Sequence, residues 1–162
     1  MFLVLKKLTL PYSFEQWHLS LIATLPKIIG GFFLTFYYSA HNMGVPWESD
    51  FNNLVPFEIS PKFVGHVQDF GFIFSKYPTF FAKAMAFSMF FGGICLILGF
   101  FTRIASSLIF WAMLMTLLFR EYDYTWSYIP IFTFLSVSIL GLWFGSGRFG
   151  LDYLIAKKMN WL

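Results

Sequence analysis

The stretch "GGICLILGFFTRIASSLIFWAMLMTLL", residues Gly92–Leu118, decides the fold of this 162-residue chain. It contains two apolar runs joined by a short turn, and Arg103 is its single charged residue. Neither run shows the alternation of apolar and polar residues that a transmembrane barrel strand requires. Inside a bilayer only helices and closed barrels satisfy every backbone hydrogen bond. The stretch therefore predicts a hairpin of two transmembrane helices.

The composition extends this prediction to the whole chain. Hydrophobic residues make up 58% of it and charged residues 12%, whereas soluble domains average about 25% charged residues. Four apolar segments have lengths near the roughly 20 residues that cross a hydrocarbon core. They cover residues 19–40, 79–101, 104–119 and 126–144. We predict an all-α integral membrane four-helix bundle forming one domain over residues 1–162, with a long extracytoplasmic loop between helices 1 and 2.

Two short elements outside the spans are also predicted. In the long loop, Ser60 followed by Pro61 is typical of a helix start, so residues 60–74 are expected to form a short surface helix. After Gly150, apolar residues recur at spacings of three and four beside Lys157 and Lys158. That pattern predicts a C-terminal amphipathic helix lying on the membrane surface.

Gly145, Gly147 and Gly150 have the GxGxxG spacing of a dinucleotide-binding loop. That motif binds a pyrophosphate only between a strand and a helix of a βαβ unit. Here it follows an apolar segment, where a helix must end and the chain must turn. We therefore predict a membrane-exit hinge and no nucleotide ligand.

Lysine and arginine counts give the orientation. With the N-terminus inside, six of these residues fall on the inner side and four on the outer side. This bias predicts a multi-pass protein of the bacterial cell inner membrane with both termini in the cytoplasm. No run of five or more basic residues is present, so the lipid bilayer is an expected partner and nucleic acid is not.

Small residues mark where membrane helices pack closely, because their backbones can approach each other there. In helix 2 the small residues at positions 88, 92, 95 and 99 follow a spacing of four, three and four, which places them on one stripe. The predicted helix-packing residues are Gly30, Gly31, Ser88, Gly92, Cys95, Gly99 and Gly141.

Lys27 is the one charge well inside an apolar run, where burial of a lysine costs about 2.5 to 3.5 kcal/mol on insertion scales. Two interpretations remain open. Its side chain can extend to the lipid headgroups, or it can face the bundle on one stripe with Gly31, Leu34, Tyr38 and His41. In the second case Leu34, Tyr38 and His41 are candidates to line a quinone or lipid pocket.

Three segments carry a resemblance to a known family. They are "LPKIIGGFFLTFYYSAHNMGVPW", "GGICLILGFFTRIASSLIFWAMLMTLL" and "FGSGRFGLDYLI". Together they resemble the DoxX family of four-helix bacterial membrane proteins, whose founding members are subunits of a thiosulfate:quinone oxidoreductase. The resemblance implies an inner-membrane bundle in which Lys27, Arg103 and Asp152 match family positions. The chain departs from the family at Met89 and His41, where relatives often carry an acid and a lysine.

Arg103 and Asp152 both lie on the predicted inner face, one after span 2 and one after span 4. We expect them to form an ion pair that ties the C-terminal helix to the turn between spans 2 and 3. The alternative is two separately solvated charges, since exposed ion pairs are often weak.

The sequence contains no recognisable catalytic motif, so no catalytic residue is predicted. Its three histidines are not placed as a haem pair, and no metal is predicted, although His41 and His66 could share one. No cofactor is predicted and a quinone is possible. The expected function is a non-catalytic accessory or anchoring subunit of a respiratory or quinone-linked membrane complex, bound to other membrane subunits. The alternatives are a quinone-binding oxidoreductase subunit and a membrane-protein assembly factor.

Overall fold

The computed structural model describes residues 17–45, 47, 54–120 and 128–159. Two of the six basic residues counted for the inner side, Lys6 and Lys7, lie outside these residues, as does Trp126, the first residue of the predicted fourth span. Within them the protein is an all-α membrane protein. In chain order, the helices are α1 (Trp17–Phe33), a π-helical turn (Leu34–Tyr38), α2 (Ser39–Asn42), α3 (Pro61–Gln68), α4 (Phe72–Lys76), α5 (Pro78–Leu98), α6 (Thr102–Phe119), α7 (Tyr128–Phe144) and α8 (Leu151–Lys158).

Among the residues that the structure describes, three continuous helices are long and apolar enough to cross a membrane: His18–Asn42, here called span 1, α5 and α6. The apolar helix α7 has 17 residues in the described part of the chain, slightly short of the roughly 20 that a crossing takes. A membrane protein is thus confirmed, and the count of four spans stays a prediction. Pro26 lies inside α1, so it does not start span 1.

The helices run antiparallel and leave two different ends. The loop end carries the C-terminal ends of span 1 and α6 and the N-terminal ends of α5 and α7, together with α3 and α4. The hinge end carries the turn at Gly99, the residues 145–150 and α8. Packing is closest between neighbours in sequence, and span 1 also contacts α7, which closes the bundle.

The connection after span 1 folds back on itself before α3 begins. Met43 and Ile59 form an antiparallel bridge, and Gly44 exchanges backbone hydrogen bonds with Phe57 and Glu58 at 2.7 Å. The predicted surface helix is two helices, because Gly71 has a φ of 68° and breaks the run between α3 and α4. These short helices cover the loop end.

Glycines allow a close contact between span 1 and α5. A methyl group at Gly93 would overlap the hydroxyl of Thr35 and come within 2.9 Å of the carbonyl oxygen of Gly31. Gly30 similarly faces Val137, and Gly92 faces Ile109.

The predicted stripe of small residues in α5 is thus only partly the contact surface. Ser88 bonds to the Ala84 carbonyl of its own helix, and Cys95 is half-buried. The sequence reasoning did not single out Gly93, because a pair of adjacent glycines does not reveal which one faces the neighbour.

The first prediction concerns this contact. Gly93→Ala should lower the stability of the detergent-solubilised protein by about 1 to 3 kcal/mol, because overpacking forces the two helices apart. A thermal unfolding curve measures the change. Gly65→Ala in α3 is the matched control: no neighbouring atom lies within 4 Å of its added methyl group, and alanine favours the helix by about 1 kcal/mol. Equal losses in both variants would contradict the assigned contact.

Candidate functional site at the loop end

A cavity of about 630 Å³ opens at the loop end, between span 1, α3, α6 and α7. Its walls combine aromatic rings, methionines and a few polar side chains. The lining residues are Tyr37, Tyr38, Asn42, Phe63, His66, Asp69, Phe70, Met89, Met113, Thr116, Arg120, Pro130, Ile131 and Phe134.

The deep part of the cavity is apolar. Met89 and Met113 are 5% and 4% exposed, and Phe134 of α7 closes the wall beside them. Methionine side chains are flexible and polarisable, so they adapt to flat or irregular ligands. Met89 therefore contributes to an apolar floor.

The shallow part is polar. His66 and Asp69 lie at the end of α3 and are exposed, and Arg120 follows the last residue of α6. All three line the cavity. A ligand there would meet an apolar floor and hydrogen-bonding groups at the mouth, an arrangement that fixes the orientation of an amphipathic molecule.

The π-helical turn shapes the wall that span 1 contributes. Such turns are rare and are frequent at functional sites. Here the turn ends with Tyr37 and Tyr38, whose adjacent rings both line the cavity. The Tyr38 ring meets the Phe134 ring edge to face at 5.0 Å. Next to it, the Asn42 amide lies 4.0 Å from the Met89 sulfur.

Of the three residues predicted to line a pocket, the structure places one in the cavity wall and two outside it. Tyr38 lines the cavity, whereas Leu34 is fully buried in the core and does not line it. His41 is exposed and does not line it either; its ring lies 5.1 Å from the Tyr37 ring. A regular α-helix was assumed for the stripe, and the π-helical turn changes the register of every residue after Leu34.

Most of the cavity residues were missed by the sequence reasoning. Met113, Thr116 and Phe134 lie on helices that are apolar on all sides, so no pattern separates a cavity wall from a lipid-facing surface. His66 was considered only as a metal ligand. Among the residues that the structure describes, no group of three His, Cys, Asp or Glu side chains is placed to hold a metal ion.

At the hinge end, Lys27 faces the bundle. It is 1% exposed, and its ammonium group donates a hydrogen bond of 2.6 Å to the Gly145 carbonyl oxygen. This carbonyl follows the last residue of α7, where the helix dipole favours a positive charge. Of the two interpretations of Lys27, the structure supports the bundle-facing one, at a position far from the cavity.

The three hinge glycines allow the chain to turn tightly there. Gly145 and Gly147 have φ values of 63° and 71°, in the left-handed region that favours glycine. A side chain at Gly147 would meet the Thr24 hydroxyl at 2.6 Å, and Gly150 packs against Gly99. The hinge lies directly on span 1 and on the turn after α5.

Asp152 fastens α8 to the same turn. Its carboxylate accepts hydrogen bonds from the backbone N–H groups of Phe101 and Thr102 at 2.8 and 3.0 Å, and from the Thr102 hydroxyl at 3.2 Å. Its own N–H donates to the Gly99 carbonyl at 3.0 Å. The carboxylate therefore caps the start of α6, although it belongs to another helix.

Arg103 acts on this carboxylate through its charge. Burial raises the pKa of Asp152 above the usual 3.8, and the hydrogen bonds from Thr102 and Phe101 and the Arg103 charge oppose that rise. The hydrogen bonds of the carboxylate described above go to the backbone and hydroxyl groups of the turn. A direct ion pair with Arg103 stays a prediction.

The structure defines a class of protein: an all-α membrane protein with a closed hinge end and a cavity at its loop end. The sequence model of the DoxX family matches residues 52–121, a region that includes α3 to α6. This match supports DoxX family membership, which the sequence motifs suggested. Comparison with curated proteins and with solved structures gives no match.

The second prediction concerns Asp152. Asp152→Asn should lower the stability in detergent by about 1 to 3 kcal/mol, because an amide nitrogen would face donors that now meet a carboxylate oxygen. A thermal unfolding curve measures this loss. Asp69→Asn, the same change at an exposed acid, is the matched control and should leave the curve unchanged. An unchanged curve for Asp152→Asn would show that the cap does not stabilise the bundle.

Proposed function

We propose that this DoxX-like membrane protein is a non-catalytic, quinone-binding accessory subunit of a membrane complex. The observation that carries the proposal is the loop-end cavity, with its apolar floor and polar mouth. Its volume of about 630 Å³ lies within the range of about 300 to 1,000 Å³ that is typical of small-molecule sites.

The chemistry of the lining supports a quinone headgroup in particular. A quinone ring is flat and apolar on both faces, and two carbonyl oxygens project from its edge. The rings of Tyr38 and Phe134 and the sulfur of Met113 offer surfaces for the faces of such a ring. His66 and Arg120 offer hydrogen-bond donors for its oxygens.

The accessory role assigns the electron transfer to a partner subunit. A bound quinone exchanges electrons only with a redox group at close range, and in this proposal the partner carries that group. The predicted orientation, with both termini in the cytoplasm, would place the cavity at the outer face of the bacterial inner membrane. A partner with its redox group on that face would meet the cavity mouth.

The third prediction tests the site. Thr116→Phe should weaken the binding of decylubiquinone about tenfold or more, because the new ring occupies space in the cavity. A loss of about 1.4 kcal/mol in binding free energy corresponds to a tenfold higher Kd. Binding is measured as quinone retained by the immobilised protein in detergent. Thr133→Phe on α7 is the matched control: Thr133 is exposed and does not line the cavity. Both hydroxyls bond to the carbonyl four residues earlier.

The control decides how the result is interpreted. Thr133→Phe should bind decylubiquinone as the unchanged protein does. Equal binding by all three proteins would place the quinone outside the cavity, and no binding by the unchanged protein would contradict the quinone proposal.

The fourth prediction tests the accessory role. The protein purified from native membranes in a mild detergent should bring down a membrane complex containing a redox subunit, together with endogenous quinone in the lipid extract. Mass spectrometry of both fractions identifies them. The protein alone should not reduce quinone with thiosulfate, and such activity in the isolated protein would contradict the non-catalytic role.

A further inference from the structure

The lining of the cavity includes surface-exposed side chains in two places, which we take as its two openings. At one of them lie His66 and Asp69, both exposed on the short helices that cover the loop end. At the other lie Tyr37 of span 1, which is 56% exposed, and Pro130 in the first turn of α7. The first opening is polar and the second is apolar.

The second opening lies between span 1 and α7. Towards the hinge end these helices touch closely, since a methyl group at Gly30 would lie 3.0 Å from Val137. Nearer the loop end the Tyr38 ring meets the Phe134 ring edge to face, at 5.0 Å. Beyond this contact the cavity separates the two helices.

This opening faces lipid rather than water. Ile129 and Phe132, which flank Pro130 and Ile131 on α7, are 51% and 56% exposed. On span 1 the exposed neighbours of Tyr37 include Phe36 and Phe33, at 43% and 51%. Large apolar side chains exposed on membrane helices belong in the hydrocarbon or its interface.

We infer that the gap between span 1 and α7 is a lateral portal, and that the ligand is an amphiphile dissolved in the membrane, with a polar headgroup and a long apolar tail. The headgroup occupies the cavity beside His66 and Asp69, and the tail leaves past Tyr37 and Pro130 into the bilayer. The inference rests on the proposed function and specifies its ligand class and its route of entry.

The size and the polarity of the site support a headgroup in the cavity and a tail in the bilayer. A cavity of about 630 Å³ accommodates a headgroup, but a prenyl tail of many isoprene units is longer than the cavity. A tail that extends into lipid stays in an apolar medium throughout and loses none of its transfer free energy. A water-soluble ligand would need only the polar opening, and the apolar one would serve no purpose.

The first experiment compares two probes and two variants. Decylubiquinone should bind about tenfold or more tightly than ubiquinone-0, which has the same headgroup without a tail, since only decylubiquinone has methylenes that can pack against Tyr37 and Pro130 in the opening. Tyr37→Ala should weaken decylubiquinone binding about tenfold and weaken ubiquinone-0 binding less, because the tail passes Tyr37 whereas the headgroup lies deeper. Tyr77→Ala is the matched control, because Tyr77 is 57% exposed and does not line the cavity.

The second experiment locates the tail without any substitution. A quinone with a diazirine at the end of its first tail segment is photolysed with the protein in nanodiscs, and the labelled peptides are mapped by mass spectrometry. Labelling that excess decylubiquinone displaces should fall on the peptides that carry Tyr37 and Pro130.

The possible outcomes separate the two proposals. Displaceable labelling on the lipid-facing sides of α5 and α6 at Phe91 and Trp111, or equal binding of the two quinones, would overturn the portal while leaving a quinone site in place. The absence of displaceable labelling and of binding by either quinone would overturn the quinone proposal itself.

Discussion

The close approach of span 1 and α5 at Gly31 and Gly93 is the contact on which the rest of the structure depends. In a bilayer, association of helices relies on van der Waals contact and on interhelical hydrogen bonds. At this crossing the Thr35 hydroxyl lies against Gly93, and its hydrogen bond to the Phe90 carbonyl measures 3.5 Å. Thr35 is also the second residue of the π-helical turn. The crossing and the change of helical register thus occur at one place.

The π-helical turn determines which side chains of the remaining part of span 1 face the cavity. A turn with one additional residue rotates the following side chains relative to those before it, so Tyr37 and Tyr38 face the space between span 1 and α7. In a regular helix the apolar stripe through Leu34 would have continued along the core. The backbone contact in the middle of the bundle therefore gives the cavity an aromatic wall one turn away.

At the hinge end the charged groups are buried and hydrogen-bonded, unlike those at the loop end. There, buried charges are bound by backbone groups: Lys27 by the Gly145 carbonyl, and Asp152 by two N–H groups of the turn after α5. Each charge meets the end of a helix whose dipole favours it, the cation at the end of α7 and the anion at the start of α6. At the loop end, His66 and Asp69 are exposed instead. Polar groups close one end of the bundle and remain accessible at the other.

This contrast explains what the sequence could and could not predict. The all-α membrane fold follows from composition and from uninterrupted apolar runs, because the bilayer leaves the backbone few alternatives. The hinge at Gly145 and Gly147 was foreseeable because tight turns require glycine. Cavity residues such as Met113 and Phe134 were not, since a residue that faces a cavity and one that faces lipid are both apolar. The π-helical turn lies where span 1 crosses α5, and no residue pattern in Leu34–Tyr38 predicted it, so the position of the site could not be read from the sequence.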